Sequence, residues 1–221
     1  MRKLMILTAA FLFVMQISKA QTEKGDQSLG INLGYTAQQV TNANTNPLVN
    51  PISNTTYQYK NFSAGPNYSY FIADKLDIGA ALSYGTSSST NTDGVDVSKQ
   101  TTKDYSAAIF VRKYFMYHDK IGFRMGPQFG YTGGTNKLTY SQQPAADNQN
   151  STSNGYTAAF KLDFVYYPAK NIGLSATIAN LEYDHTKDNN HNMGSGTTDN
   201  LNLDFINNGL NLSVFYVFGN K

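Results

Sequence analysis

The chain has 221 residues, with 17 Lys and Arg, 15 Asp and Glu, and no cysteine or tryptophan. Arg2, Lys3 and Lys19 fall in the first twenty positions and no acid does, so the remainder carries 14 basic against 15 acidic side chains, and the basic pI of the full chain marks no nucleic-acid-binding surface. Without sulfur from cysteine there can be no disulfide, no cysteine metal site and no lipoprotein anchor.

From the N-terminus, the charged start Met1-Arg2-Lys3 is followed by a mostly apolar run from Leu4 to Ile17 and by Ser18-Lys19-Ala20, small residues where signal peptidase reads. The run is shorter than the ~20 apolar residues that span a bilayer, so residues 1–20 are expected to be a signal peptide cleaved before Gln21. A short periplasmic segment, 21–27, should lead into a single domain at 28–218, with 219–221 as a tail. The first strand is predicted where Leu29, Ile31, Leu33 and Tyr35 alternate with Gly30, Asn32 and Gly34. Three short connections punctuate the rest of the chain: Ile72 to Lys75, Tyr117 to Lys120 and Tyr167 to Lys170, each entered from aromatics (Tyr70-Phe71, Tyr114-Phe115, Tyr166-Tyr167) and left through an apolar residue (Leu76, Ile121, Ile172). Four polar segments rich in Asn, Thr, Ser and Gly separate these hairpins, roughly Val40 to Thr56, Thr86 to Thr102, Thr132 to Asn154 and Asp184 to Asn200, and are read as long mobile loops.

Three short turns and four long loops join eight strands. Ile121, Phe123, Met125, Pro127, Phe129 and Tyr131 oppose Gly122, Arg124, Gly126, Gln128 and Gly130, and between Tyr156 and Tyr166 Val165 is the one apolar residue on the polar face. Such short alternating segments present apolar side chains to lipid every second residue, which is how a chain of low mean hydropathy can cross a membrane. The expected fold is therefore all-β, an eight-stranded antiparallel up-and-down transmembrane β-barrel, with short turns in the periplasm and long loops outside. Tyr35, Tyr59, Tyr84, Tyr105, Tyr131, Tyr156 and Tyr183 mark the loop-side strand ends as an aromatic girdle, and ten steps from Tyr156 to Tyr166 at ~3.3 Å and ~40° tilt project to roughly 25 Å, the height of an outer-membrane apolar band. A soluble lipocalin-like ligand barrel is the competing architecture, with the apolar face inward. Pro66 and Pro127 lie inside predicted strands and call for bulges or local irregularity.

Phe62 to Phe71, Phe110 to Phe115 and Leu212 to Phe218 resemble the outer-membrane β-barrel family common in Bacteroidetes, similar in architecture to the OmpX and OmpA barrels. The resemblance covers nearly all of the mature chain and implies a fold and an outer-membrane address rather than an activity. It also implies the lipid of that membrane and, through the last strand, the barrel-assembly machinery as partners, although Gly219-Asn220-Lys221 extend past the final aromatic.

Candidate chemistry is sparse. His185, Asp188 and His191 form an H-x-x-D-x-x-H spacing that could hold a transition metal, but neighbouring Lys187, Asn189, Asn190 and Asn192 are those of an ordinary solvated loop. The only histidines are these two and His118, and no nucleophile motif adjoins them, so no catalytic, cofactor-binding or metal residue is assigned. An eight-stranded barrel is just wide enough for side chains to fill, which disfavours a porin-like channel and leaves a structural or interaction role through the outer loops, toward a partner outside the cell or in the envelope. Arg112 and Arg124 lie equally far from His118 and should face each other across a hairpin, with Asp77 and Asp163 on the outer flanks: a lumen layer in the order Asp, Arg, Arg, Asp.

Overall fold

The computed structural model describes residues 22–43, 54–93, 96–141, 149–190, 194–205 and 210–219; the expected signal peptide lies outside them. Its strands are β1 (Gln27–Ala43), β2 (Asn54–Ala73), β3 (Leu76–Asp93), β4 (Asp96–Tyr117), β5 (Ile121–Tyr140), β6 (Gln149–Ala169), β7 (Ile172–Asn190), β8 (Gly194–Phe205) and β9 (Leu210–Phe218). All neighbours are antiparallel and follow chain order from β1 to β7, and β9 closes the ring by pairing with β7 at Ile172↔Tyr216 and with β1 from Gln27↔Phe218 to Tyr35↔Leu210. The ring thus has eight wall positions, the last occupied by β9 near the short turns and by β8 beyond it. Phe205 and Leu212 are seven residues apart yet face Ala179 and Ala176, three apart on β7, so the eighth position is interrupted between them. Above Tyr35, β1 is laddered to β2 and β8 to β7, with no ladder joining β1 to β8 among the described residues.

Burial is inverted relative to a water-soluble protein. On β5, Gly122, Arg124, Gly126 and Gly130 are buried while Ile121, Phe123, Phe129 and Tyr131 are exposed. The same inversion holds around the ring, where Ser28, Ser69, Asp77, Asp163, Ser175 and Ser213 are buried and Leu29, Ile31, Ile109, Phe160 and Val214 stand outside. A lipocalin-like barrel requires the reverse, and that alternative is set aside. A side chain on a strand faces alternately in and out, so the alternation of the sequence fixes which half of each strand meets which environment.

The turns at the closed end are shorter than the four-residue connections expected. Asp74-Lys75 and Lys170-Asn171 form two-residue loops between Ala73↔Leu76 and Ala169↔Ile172, and His118, Asp119 and Lys120 form the third between Tyr117↔Ile121. Lys75, His118 and Asp119 take left-handed backbone angles (φ 59, 49 and 52°), which fits the right-handed twist of a tight hairpin.

Three of the four polar segments are not loops over most of their length: β3 and β4 stay paired to Asp93↔Asp96, β5 and β6 to Leu138↔Gln149, and β7 and β8 to Asn190↔Gly194, while residues 44–53 of the first lie outside the described residues. Threonine is a good strand former, and facing polar side chains bond across the ladder, as Gln58 Nε2 donates to Gln39 Oε1 at 3.4 Å, so these stretches satisfy their backbone by extending the sheet. At the prolines the expected irregularity is present, without a bulge. The register of β2 against β3 and of β5 against β4 is the same on both sides of Pro66 and Pro127, and the ladder merely lapses beside each. Each proline follows a glycine, Gly65 or Gly126, at which a Cβ would run into the carbonyl oxygen of Leu82 or Val111 on the adjoining strand. Missing N–H and missing Cβ together let the neighbouring backbone approach without a register shift.

Gly126→Ala should therefore cost about 1–3 kcal/mol through overpacking against backbone that cannot step aside. Thermal unfolding followed by circular dichroism checks it; a midpoint equal to that of the unmodified chain would contradict the close approach.

Candidate functional site

The lower lumen is filled in two layers. At the turn end, Phe71, Tyr114, Val165, Tyr167, Phe215 and Val217 form one buried apolar cluster with Met116 against it. Tyr167 meets Phe215 edge-on at 5.6 Å and Phe71 tilts against Tyr114 at 5.3 Å. Each aromatic pair noted before a short turn is split by the pleat: Tyr70, Phe115 and Tyr166 face outward, and Phe71, Tyr114 and Tyr167 turn inward to make this plug. Val165, apolar on an otherwise polar face, belongs to it as well. Phe215 fits because its ladder partners on both sides, Gly30 and Gly173, have no side chain.

Above the plug lies a belt of charge. Arg112 grips Asp77 with two bonds, Nε to Oδ1 at 3.1 Å and Nη2 to Oδ2 at 2.6 Å, and Arg124 Nε donates to Asp163 Oδ2 at 2.8 Å. Asp77, Arg124 and Asp163 are all buried. Asp77↔Arg112 and Arg124↔Asp163 are direct ladder partners. The two arginines do not face each other, however, since the three-residue loop at 118–120 centres the hairpin on Asp119 and sets Arg124 opposite Tyr114 and Arg112 two residues farther along. Tyr114 bridges the two ion pairs instead: its hydroxyl accepts from Arg124 Nη1 at 3.3 Å and donates to Asp77 Oδ2 at 3.0 Å. Ser69 donates to Asp77 at 2.7 Å and contacts Ser28 at 3.0 Å, Thr177 donates to Asp163 at 2.9 Å, and Arg124 Nη2 donates to Ser175 at 2.8 Å. The belt thus runs from β1 to β7. Beyond it, Asn67 Nδ2 donates to Asn32 at 2.8 Å and to Ser213 on β9 at 3.3 Å. Such bonds are what make enclosed charges tolerable, since a buried charge without a partner is expensive.

Above the belt the lumen widens into a cup of about 430 Å³, lined by Asn32, Ser83, Gln128, Lys161, Asn180 and Glu182 among others. Its floor is the belt, so it is a blind recess.

The rim tyrosines follow the stagger of the sheet. Tyr35 pairs with Phe62, Tyr84 with Tyr105, Tyr131 with Tyr156 and Tyr183 with Leu201, whereas Phe62 faces Thr86, Tyr105 faces Gly133 and Tyr156 faces His185, each two residues beyond the next rim position. This stepping keeps the ring level while strands tilt. Tyr59 is not part of it: it lies three residues from Phe62, hence on the opposite face, laddered to Gln38 and Ser89. Residue type points to the tyrosine; the pleat selects the phenylalanine. His185 and Asp188 likewise fall on opposite faces of β7 and do not converge, and His191 lies outside the described residues. His185 stacks on Tyr156 at 4.7 Å and its Nδ1 lies 2.7 Å from Asp199 Oδ1, which also accepts from Tyr183.

No family model matches the chain, and no curated protein matches it in sequence. Solved structures do. OprG from Pseudomonas aeruginosa superposes with a TM-score of 0.50 at 13% identity, covering 92% of this chain and 100% of that one. A major outer membrane protein from Thermus thermophilus gives 0.46 at 11% identity over 87% and 99%, and Ail of Yersinia pestis gives 0.42 at 14% over 88% and 99%. The fold is that of the small bacterial outer-membrane β-barrels.

Two outcomes test the lumen. Asp163→Asn should destabilise by about 3–5 kcal/mol because Arg124 then keeps its charge without its carboxylate, and joint replacement of Arg124 and Asp163 by Leu should recover part of that loss, read as unfolding midpoints in detergent. Tyr167 carries a buried hydroxyl with no hydrogen-bond partner among the described residues, so Tyr167→Phe should be neutral or stabilising by up to about 1 kcal/mol, whereas a loss above 1 kcal/mol would mean the hydroxyl is bonded.

Proposed function

We propose that the chain is exported behind a cleaved signal peptide, inserted in the outer membrane by the barrel-assembly machinery, and serves there as a closed anchor for a sheet that projects from the cell. The carrying observation is that the strands run well past the rim. β4 continues nine residues from Tyr105 to Asp96, and β5 nine from Tyr131 to Tyr140, which at ~3.3 Å per residue and ~40° tilt rises roughly 20 Å beyond the apolar band. A floor sealed by six apolar side chains and two ion pairs supports an anchor rather than a channel. The raised sheet supports an adhesive, structural or partner-binding role. A catalytic reading draws no support from the histidines: His118 sits in a turn at the closed end and His185 is held by Asp199 on the outer face. The motifs Phe62 to Phe71, Phe110 to Phe115 and Leu212 to Phe218 support placing it among the outer-membrane barrels common in Bacteroidetes.

Because the chain has no cysteine, single replacements give a clean topology assay. Thr139→Cys near a strand tip should react with a membrane-impermeant maleimide on intact cells, and Asp119→Cys only after the outer membrane is breached. The opposite pattern would place the raised sheet in the periplasm and end the proposal.

A further inference from the structure

Charge is sorted across the wall beyond the rim. Lys60 shares the outward face of β2 with Phe62, Lys99 and Lys103 that of β4 with Tyr105, Lys137 that of β5 with Tyr131, and Lys187 that of β7 with Tyr183; all five are exposed. None makes an ion pair among the described residues. The inward face at these levels carries Asp104, Asp184 and Asp188 instead, and the outward carboxylate Asp199 is engaged by Tyr183 and His185. Lys137 is laddered to Thr101, with Lys99 and Lys103 two residues to either side, so Lys137 is a diagonal neighbour of each at about 7–8 Å, while Lys99 and Lys103 stand about 13 Å apart along β4. Like charges that close repel unless an anion lies among them.

Height adds a second constraint. Lys60 and Lys103 stand two residues beyond the rim, Lys187 four, and Lys99 and Lys137 six, or roughly 5, 10 and 15 Å above it at the rise and tilt of such strands. A phospholipid places one phosphate at a single depth, whereas a phosphorylated sugar headgroup offers anions over such a range. Below the triangle, the lipid-facing wall has a depression of about 570 Å³ lined by Ile109, Pro127, Phe129, Ala158, Phe160 and Leu181 among others. It is the shape and polarity of a seat for acyl chain.

We infer that the lysine collar and the slot beneath it hold a phosphorylated glycolipid of the outer leaflet, lipopolysaccharide, its phosphates among Lys99, Lys103 and Lys137 and an acyl chain along the slot. The inference rests on the membrane orientation proposed above. It deepens that reading by naming a partner for the outer surface.

The test uses the full mature chain folded into vesicles of phosphatidylcholine alone, or doped with phosphatidylglycerol or with diphosphoryl lipid A at equal added charge. Unfolding temperature is read from heat-modifiable migration, and bound phosphate from the extracted barrel. Lipid A should raise the unfolding temperature more than phosphatidylglycerol does and should remain on the extracted barrel. Replacing Lys99, Lys103 and Lys137 together by Gln should reduce retained lipid A by about tenfold or more, replacement of the three by Arg should preserve it, and Lys113→Gln near the closed end should change nothing. Equal effects of the two anionic lipids, or a Gln triple variant that retains lipid A like the unmodified chain, would overturn the inference while leaving the barrel reading intact. Failure to insert into phosphatidylcholine would overturn both.

Discussion

Every charge turned into the lower half of this ring must find its partner within the ring, because lipid lies outside the wall and the lumen has no room for a hydration shell. That constraint organises the molecule. Asp77 and Arg112 meet across one ladder and Arg124 and Asp163 across another, and Tyr114 ties the two pairs together. Serines and a threonine from β1, β2 and β7 take up remaining bonding positions. A one-residue slip of β3, β4, β5 or β6 would carry a charge from lumen to lipid, so the belt fixes register as well as filling space. Its net value against an apolar filling is modest, since desolvation offsets much of the attraction, whereas losing one partner is severe.

The plug and the cup follow from the belt. Below it, one aromatic from each pair turns inward and excludes water from the ion pairs, which strengthens them. Above it, Asn67 links β1, β2 and β9, and the walls then open into a polar recess. Plug and belt together fill the lumen at the turn end.

Much of this is legible from alternation. The faces of the first, fifth and sixth strands separate in the sequence, and Asp77, Arg112, Arg124 and Asp163 fall on the polar face because parity alone puts them there. What parity does not supply is the length of a turn. The loop at 118–120 centres the hairpin on Asp119 rather than His118, replaces the predicted Arg112/Arg124 contact by Arg124/Tyr114, and gives the tyrosine its bridging role. Residue type alone selects Tyr59 for the girdle, where its distance from Phe62 shows it to face inward. Of the doubled aromatics before the short turns only alternate members can reach lipid, and Val165 is the sequence signal for the plug.

The polar segments mislead for a different reason. Asn, Ser, Thr and Gly are loop residues in composition, but a strand outside the membrane with water on its surfaces needs no apolar alternation, so hydropathy is silent about it. Continuation of the ladder from the membrane-level strands is a tertiary effect that no local window reports. The same extension carries the lysines of the collar outward and the aspartates inward. The most direct measurement of the whole account compares spin labels at Phe123 and Arg124, adjacent residues on β5, for collision with oxygen dissolved in lipid and with a water-soluble nickel chelate. The account predicts high oxygen accessibility at 123 and protection from both reagents at 124; equal lipid access at the two positions, or greater access at 124, would contradict it.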